Sequence, residues 1–344
     1  MTVSIFRKKF LLALSVIGLV SSAGPVFAED ISGAGATFPH PIYAKWAEDY
    51  KKETGIGLNY QAIGSGGGIK QIKANTVTFG ASDKPLTVDE MKDDGLIQWP
   101  MVIGGVVPVV NVKGIRAGEM VLDGKTLADI YLGDVKFWDD PALAKLNPKL
   151  KLPHEPVVQV YRADGSGTTF LFTHYLASVN GNFEQKIGSD ASVQWPSGIG
   201  AKGNEGVANM AFRTEGAIGY VEYAYAVENN LVTTKMVNKD GKIVAPEFAA
   251  FQAAAANANW NAAPGFYLIL TDQPGAKSWP ITGASFILMH KEPVDAKASK
   301  QALDFFAWAY KNGADSAKAL NYVSMPASVI ALAKKSWDQI NVKE

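Results

Sequence analysis

The sequence predicts an α/β protein of two lobes joined by strands that cross between them. Three observations carry this. Strand, small-residue loop and helix follow one another repeatedly in the early chain, which is the rhythm of an open α/β sheet. Two long apolar runs, 101–112 and 279–290, have the composition of strands buried on both faces. The 344 residues, 47% hydrophobic and 19% charged, suffice for about two cores of ordinary domain size. The chain is expected to leave one half, build a second and return, which makes the first lobe discontinuous. Its boundaries are placed at 29–106 with 284–344, and those of the second lobe at 107–283.

At the N-terminus, Arg7, Lys8 and Lys9 precede an apolar run from Phe10 to Val20, and Val26-Phe27-Ala28 reads as a small-residue cleavage site. Residues 1–28 are therefore read as a removable signal peptide, with Glu29 opening the mature chain. The apolar run is too short to span a bilayer, so the mature protein is expected to be soluble outside the cytoplasm. With 0 Cys there is no disulfide framework, no thiol metal site and no cysteine to carry a lipid anchor. Three of the 33 basic residues leave with the signal, so 30 face 33 acidic ones. A general basic field for nucleic acid or anionic lipid is thus absent, and an anion would have to be bound by local dipoles and one or two positive groups.

The mature chain opens with a glycine-bearing turn at 31–39, followed by a helix over about 39–52 with Ile42, Trp46 and Tyr50 on its apolar face. Residues 56–63 alternate as a strand, Gly64-Ser65-Gly66-Gly67-Gly68 breaks it, and helix resumes at Ile69. A short strand at 77–83 ends in a polar turn. After the first crossing run come a helix at 126–132, a proline-containing loop at 147–156 and a strand at 157–160 that delivers Arg162. Helices follow at 169–179 and from Gly203, then a strand at 217–221 feeding 223–228. The alanine-rich 249–258, and 301–311 and 328–340, read as helices.

Three loops share one design: Ala36-Thr37-Phe38-Pro39, Gly64-Ser65-Gly66-Gly67 and Asp164-Gly165-Ser166-Gly167-Thr168 each place a hydroxyl ahead of a helix. One such hydroxyl is an ordinary N-cap. Three, drawn from both halves, are better explained by a ligand between the lobes at strand carboxyl ends. Arg162 adds a fork of donors, and helix N-termini attract negative charge, so the ligand expected is an oxyanion. Asp83 repels a fully deprotonated anion but can accept a hydrogen bond from a protonated one, which makes it a discriminating residue; its bland reading is a turn-forming aspartate.

Enzyme signatures are not met. The glycine loops fit neither the Gly-x-x-x-x-Gly-Lys-[Ser/Thr] nor the Gly-x-Gly-x-x-Gly pattern, no Gly-x-Ser-x-Gly elbow surrounds Ser65 or Ser166, and His40, His154, His174 and His290 are scattered. The aromatic groups at 220–225 and 305–308 have core spacing. Trp195-Pro196 and Trp279-Pro280 are expected to line the cleft mouth, and Lys70, Lys73, Lys84, Lys136 and Lys149 to lie on solvated faces.

The runs Gly-Ala-Gly-Ala-Thr-Phe-Pro at 33–39, Gly-Ser-Gly-Gly-Gly at 64–68, Phe-Gly-Ala-Ser-Asp at 79–83 and Arg-Ala-Asp-Gly-Ser-Gly-Thr-Thr-Phe at 162–170 resemble the periplasmic phosphate-binding proteins of high-affinity phosphate ABC importers. The resemblance continues through Tyr131-Leu132-Gly133, 216–220 and Trp-Pro-Ile-Thr at 279–282, and covers essentially the whole mature chain. It implies a type II periplasmic binding protein, a hinge-closing Venus-flytrap that holds one inorganic phosphate and docks, when loaded, on a membrane permease driven by a cytoplasmic ATPase. It implies phosphate contacts from Thr37, Phe38, Ser65, Asp83, Arg162, Ser166, Gly167 and Thr168, with Asp164 holding Arg162 from behind. One departure is Gly66, where that family often carries serine; Ser65 stays in place, but position 66 has no side chain to offer. A monomer is expected, without metal, cofactor or nucleic acid, and not an enzyme; the alternative reading is a secreted phosphatase on the same scaffold.

Overall fold

The computed structural model describes residues 31–342; the signal-peptide reading of 1–28 lies outside them. The described residues open with β1 (Ile31–Gly35), followed by α1 (His40–Thr54), β2 (Leu58–Ala62), α2 (Ser65–Lys73), β3 (Phe79–Ser82) and α3 (Val88–Asp93). The long β4 (Leu96–Asn111) leads to β5 (Val121–Leu122), α4 (Gly124–Leu132), α5 (Pro141–Leu146), β6 (Val158–Arg162), α6 (Gly167–Val179) and α7 (Gly181–Lys186). Next come β7 (Ile199–Ala201), α8 (Gly203–Arg213), β8 (Ala217–Glu222), α9 (Tyr223–Glu228), β9 (Val232–Thr233), β10 (Lys235–Val237), β11 (Ile243–Val244) and α10 (Phe248–Ala255). The return strand β12 (Thr282–His290) precedes α11 (Ala296–Asn312), α12 (Ala314–Ala319), β13 (Val323–Ser324) and α13 (Ala327–Ser336).

The main sheet runs β2-β1-β3-β12-β4-β8-β6-β7, with β13 pairing β4 at Val102 and Ile103 and β9 pairing it at Val109 and Val110. Strands β1, β2 and β3 are parallel, as are β6, β7 and β8, while β4 and β12 run antiparallel to their neighbours. β4 is the common member. Its first part, from Leu96 to Gly105, pairs with β12, and its second part, from Val106 to Asn111, pairs with β8. Gly104 and Gly105 lie at this handover because rings occupy the space of their absent side chains: a Cβ at Gly105 would meet the Phe251 ring at 2.0 Å, and one at Gly104 the Phe38 ring at 3.0 Å. β4 is buried along nearly its whole length, which explains its uninterrupted apolar sequence.

Each half has an aromatic core. On one side Tyr60, Phe79, Phe306 and Trp99 stack or meet edge to face, and on the other Phe172 stacks on Tyr220 at 4.1 Å beside Tyr131. Such rings contribute much of the buried apolar area that opposes chain entropy.

Several expectations need correction. The opening turn is a strand, β1, so rich in small residues because neighbours press on it: a Cβ at Gly33 would lie 2.2 Å from the Phe79 ring. Trp279 does not line the cleft mouth; it is fully buried and donates from Nε1 to the Val106 carbonyl at 2.9 Å. The helix read over 328–340 ends at Ser336 and tightens into a 3₁₀ turn at Trp337–Gln339.

Candidate functional site

β6 ends at Arg162 and the chain turns through Asp164 and Gly165 into α6, whose N-cap is Ser166: its Oγ accepts the Thr169 N–H at 3.0 Å. Of the first-turn N–H groups, that of Thr169 is thus capped, and that of Gly167 is given across the junction to the Ser65 hydroxyl at 3.0 Å. Arg162 is almost wholly buried and held in a fixed pose. Its Nε donates to Asp164 Oδ1 at 2.8 Å and its Nη2 to Oδ2 at 2.5 Å, while Nη1 approaches Thr168 Oγ1 at 3.5 Å. Asp164 also accepts the Gly203 N–H at 3.0 Å. Burial works to raise the Asp164 pKa, but the Arg162 hydrogen bonds and charge, with the Gly203 N–H, outweigh it and hold the carboxyl below its ordinary range.

The other half supplies Thr37, Phe38, Ser65 and Asp83. Ser65 is the first residue of α2, not a cap ahead of it; the cap position is Gly64, with φ of 88° and no side-chain bond, a backbone setting that suits glycine. The Ser65 hydroxyl accepts two main-chain donors, Asp83 N at 3.1 Å and Gly167 N at 3.0 Å, so its own hydrogen is left to be given away; Asp83 Oδ2 stands 3.4 Å off. The approach is close enough that a Cβ on Gly167 would lie 2.5 Å from both Ser65 Oγ and Asp83 Cβ. Thr37 is not a helix cap either: Pro39 occupies that place, and the Thr37 hydroxyl accepts from Asn204 Nδ2 at 2.7 Å. Phe38 is buried against Tyr322, whose hydroxyl is 2.7 Å from the Phe38 carbonyl. Of the three hydroxyls expected to cap helices, only that of Ser166 does so.

Asp83 is the unusual member. It is buried, with Oδ1 unpartnered, and Ser285 beside it likewise has a hydroxyl without a hydrogen-bond partner. Burial raises the Asp83 pKa to about 7, partly opposed by Ser285, the Arg162 charge and Ser65. Ionised, the carboxyl can only accept a hydrogen bond; protonated, it could also donate one.

Thus all eight site residues expected from the sequence lie in one buried cluster at the junction of the halves, with Asp164 behind Arg162. The halves also touch through main chain, Gly66 N donating to Gly165 O at 2.9 Å, and through Lys84, whose Nζ is 2.7 Å from Asp190 Oδ1. The other lysines named as solvated are exposed, whereas Lys84 is half-buried in this ion pair and lies over the Phe170 ring. Sequence reasoning missed Asn204, Ser285 and Glu222. Asn204 was read only as part of a helix start, and its full burial is the signal that sets it apart.

The histidines lie apart from the cluster: His40 stacks on Tyr60, His154 pairs with Asp139, His174 bonds Thr271 and His290 meets the Ile72 carbonyl. Among the described residues no group of three His, Cys, Asp or Glu side chains could hold a metal ion, and no helix is long and apolar enough to cross a membrane.

Residues 21–312 match the PBP superfamily domain. The chain is 50% identical over 310 residues to the phosphate-binding protein PstS of Pasteurella multocida, covering 90% of each chain. It is 49% identical over 310 residues to that of Haemophilus influenzae, covering 90% of this chain and 93% of the relative. In three dimensions it is similar to a high affinity periplasmic phosphate-binding protein bound with phosphate, with a TM-score of 0.71 at 22% identity over 90% of this chain and 94% of the other. It is similar also to the phosphate-binding protein of Stenotrophomonas maltophilia, with a TM-score of 0.67 at 21% identity over 90% and 94% of the two chains. At such identities the structural likeness speaks for the two-lobed fold.

Proposed function

Because the chain belongs to the PBP superfamily and, within it, to the phosphate-binding PstS proteins, we propose that the buried cluster between its lobes is the seat of one inorganic phosphate. The protein is a solute-binding component of a phosphate ABC importer. The observation that supports this site is the composition of the cluster: one fixed guanidinium, a helix N-terminus and several hydroxyls, all donors, set against one buried carboxyl. Neutral donors dehydrate an oxyanion without the desolvation cost of several buried cations. The single acceptor, Asp83, receives the hydrogen of a protonated phosphate oxygen.

Sulfate carries no such hydrogen near neutrality and would bring its oxygen against the carboxylate. A site built around a hydrogen bond rejects an analogue that lacks it by roughly 10⁴-fold. The lobes are assigned as 29–106 with 284–344, and 107–283, and β4 with β12 as the strands that flex between them; the change of β4 partner at Gly105 and Val106 supports that placing. Phosphate is taken to meet one lobe first, the donors of the other completing its shell and shifting the equilibrium to the closed form. The loaded protein is a monomer that presents itself to a membrane permease. The periplasm is its proposed location, on the strength of the signal-like N-terminus, and no lipid tethers it. We take the chain to catalyse no reaction. The relatives, named as binding proteins, give the phosphatase reading no support.

Isothermal titration of phosphate-stripped protein against phosphate, sulfate and arsenate tests the assignment. Tight one-to-one binding of phosphate with no heat from sulfate is expected, and indifference between the two would refute it. Steady turnover of p-nitrophenyl phosphate by the purified protein would restore the phosphatase.

A further inference from the structure

A hydroxyl oxygen can accept two hydrogen bonds and has one hydrogen to give. Where both accepting positions are filled by groups that can only donate, the hydrogen is committed to a third partner. Asn204, the second residue of α8, creates this condition twice. Its Nδ2 donates to Thr37 Oγ1 at 2.7 Å and to Thr168 Oγ1 at 3.2 Å, and its main-chain N–H reaches Thr37 Oγ1 at 3.3 Å. The orientation of the amide is fixed by Oδ1, which accepts the Glu222 N–H at 2.9 Å; an N–H can only donate, so the amide nitrogen must face the threonines. Thr168 receives its second donor from Arg162 Nη1 at 3.5 Å. The side chain of Asn204 is fully buried and all three of its polar positions are used.

We propose that Asn204 is a positioning residue for the bound anion: it does not touch phosphate, but by filling the accepting positions of Thr37 and Thr168 it obliges both hydroxyls to donate inward, and it ties one threonine from each half to a single amide. This rests on the phosphate reading above. It adds a specificity element, because a free threonine hydroxyl can turn either way and serve a donor or an acceptor ligand, whereas these two serve only an acceptor. It also links the site to closure, since the Thr37 side of the arrangement is complete only when the halves meet.

The test is titration calorimetry with inorganic phosphate on phosphate-stripped wild type, Asn204→Ala, Asn204→Asp, Thr37→Val, Thr168→Val and the double variants of Asn204→Ala with each valine. Asn204→Ala is expected to weaken phosphate binding about 10- to 100-fold. Asn204→Asp, closer in shape to the natural residue, should weaken it further, since an acceptor then turns both hydroxyls away from the anion. A residue that merely packs would give the opposite ranking. In the two double-mutant cycles the losses should fall short of additivity by about fivefold or more. Additive losses, or an Asn204→Asp milder than Asn204→Ala, overturn the proposal while leaving phosphate binding intact. Thermal melts verify that each variant folds, and should Asn204→Ala not fold, Asn204→Asp enters the same cycles. Wild type that binds no phosphate would refute the functional reading itself, and this proposal with it.

Discussion

Asp83 is buried and Asp164 half-buried, both near Arg162 and both within one cluster, yet their surroundings drive them in opposite directions. Asp164 lies in the plane of the guanidinium, accepts two of its donors and takes a third from Gly203, so it is held ionised. Asp83 comes from the other half, has one oxygen without a partner, and is raised to about 7 by burial. The first is a structural anion that neutralises and aims a cation. The second has only neutral hydroxyls at hand, Ser65 at 3.4 Å from Oδ2 and Ser285 beside it. Burial alone therefore does not set the role of a carboxyl; the number of donors already satisfied does.

The largest expected effect tests the second half of that contrast. Replacing Asp83 by Asn removes the charge that excludes sulfate, and the preference for phosphate over sulfate should fall by about 10³-fold or more, as read by competitive calorimetry. An unchanged preference would remove Asp83 from its discriminating role. Next comes Arg162→Met, which deletes the charged donor and strands Asp164; phosphate affinity should drop about 10²- to 10³-fold with the fold retained by circular dichroism. An unfolded variant would make Arg162 structural. Asp164→Asn, which only loosens the aim of Arg162, should cost less than that in the same titration.

A smaller effect concerns Glu222, a third buried carboxyl, at the end of β8. Its Oε2 meets the Tyr322 hydroxyl and the Ala224 N–H, its Oε1 has no partner, and burial holds its pKa well above the ordinary carboxylate range. A carboxyl raised in the folded state adds stability at acid pH that is lost as pH climbs through and beyond its unfolded value of about 4.3. Glu222→Gln should therefore melt above wild type at pH 8, with the gap closing toward pH 4; a constant gap across that range would contradict a protonated Glu222. Smallest of all is Lys84→Ala. Its ion pair with Asp190 is partly exposed, so phosphate affinity should change less than about threefold, and less still at high salt.

Much of the fold was legible because its signals are local. The apolar runs marked β4 and β12, and the Arg162 and Asp164 pairing implied by the family resemblance is one that a spacing of two in extended chain permits. The hydroxyls, Arg162 and Asp83 stand out through local motifs, while Phe38 and Gly167 enter the set only through the family resemblance. What escaped the sequence depends on contacts across the chain. The Ile31–Gly35 segment lacks the bulky residues of a typical strand because Phe79 fills the space above it, a fact invisible within the segment. Thr37 was mistaken for a cap because its partner, Asn204, is 167 positions away. Trp279 beside Pro280 suggested a surface corner, whereas the Val106 carbonyl draws the indole inward.

The contact between Gly66 and Gly165 has a consequence for turnover. A Cβ on either glycine would stand 3.1 Å from the Cα of the other, so the lobes meet here with only hydrogens between them. A carrier must surrender its cargo as readily as it takes it. Because no side chains interlock at this point, parting the lobes there requires no rotamer to change and no buried chain to be unthreaded, only the release of one main-chain hydrogen bond, from Gly66 N to Gly165 O.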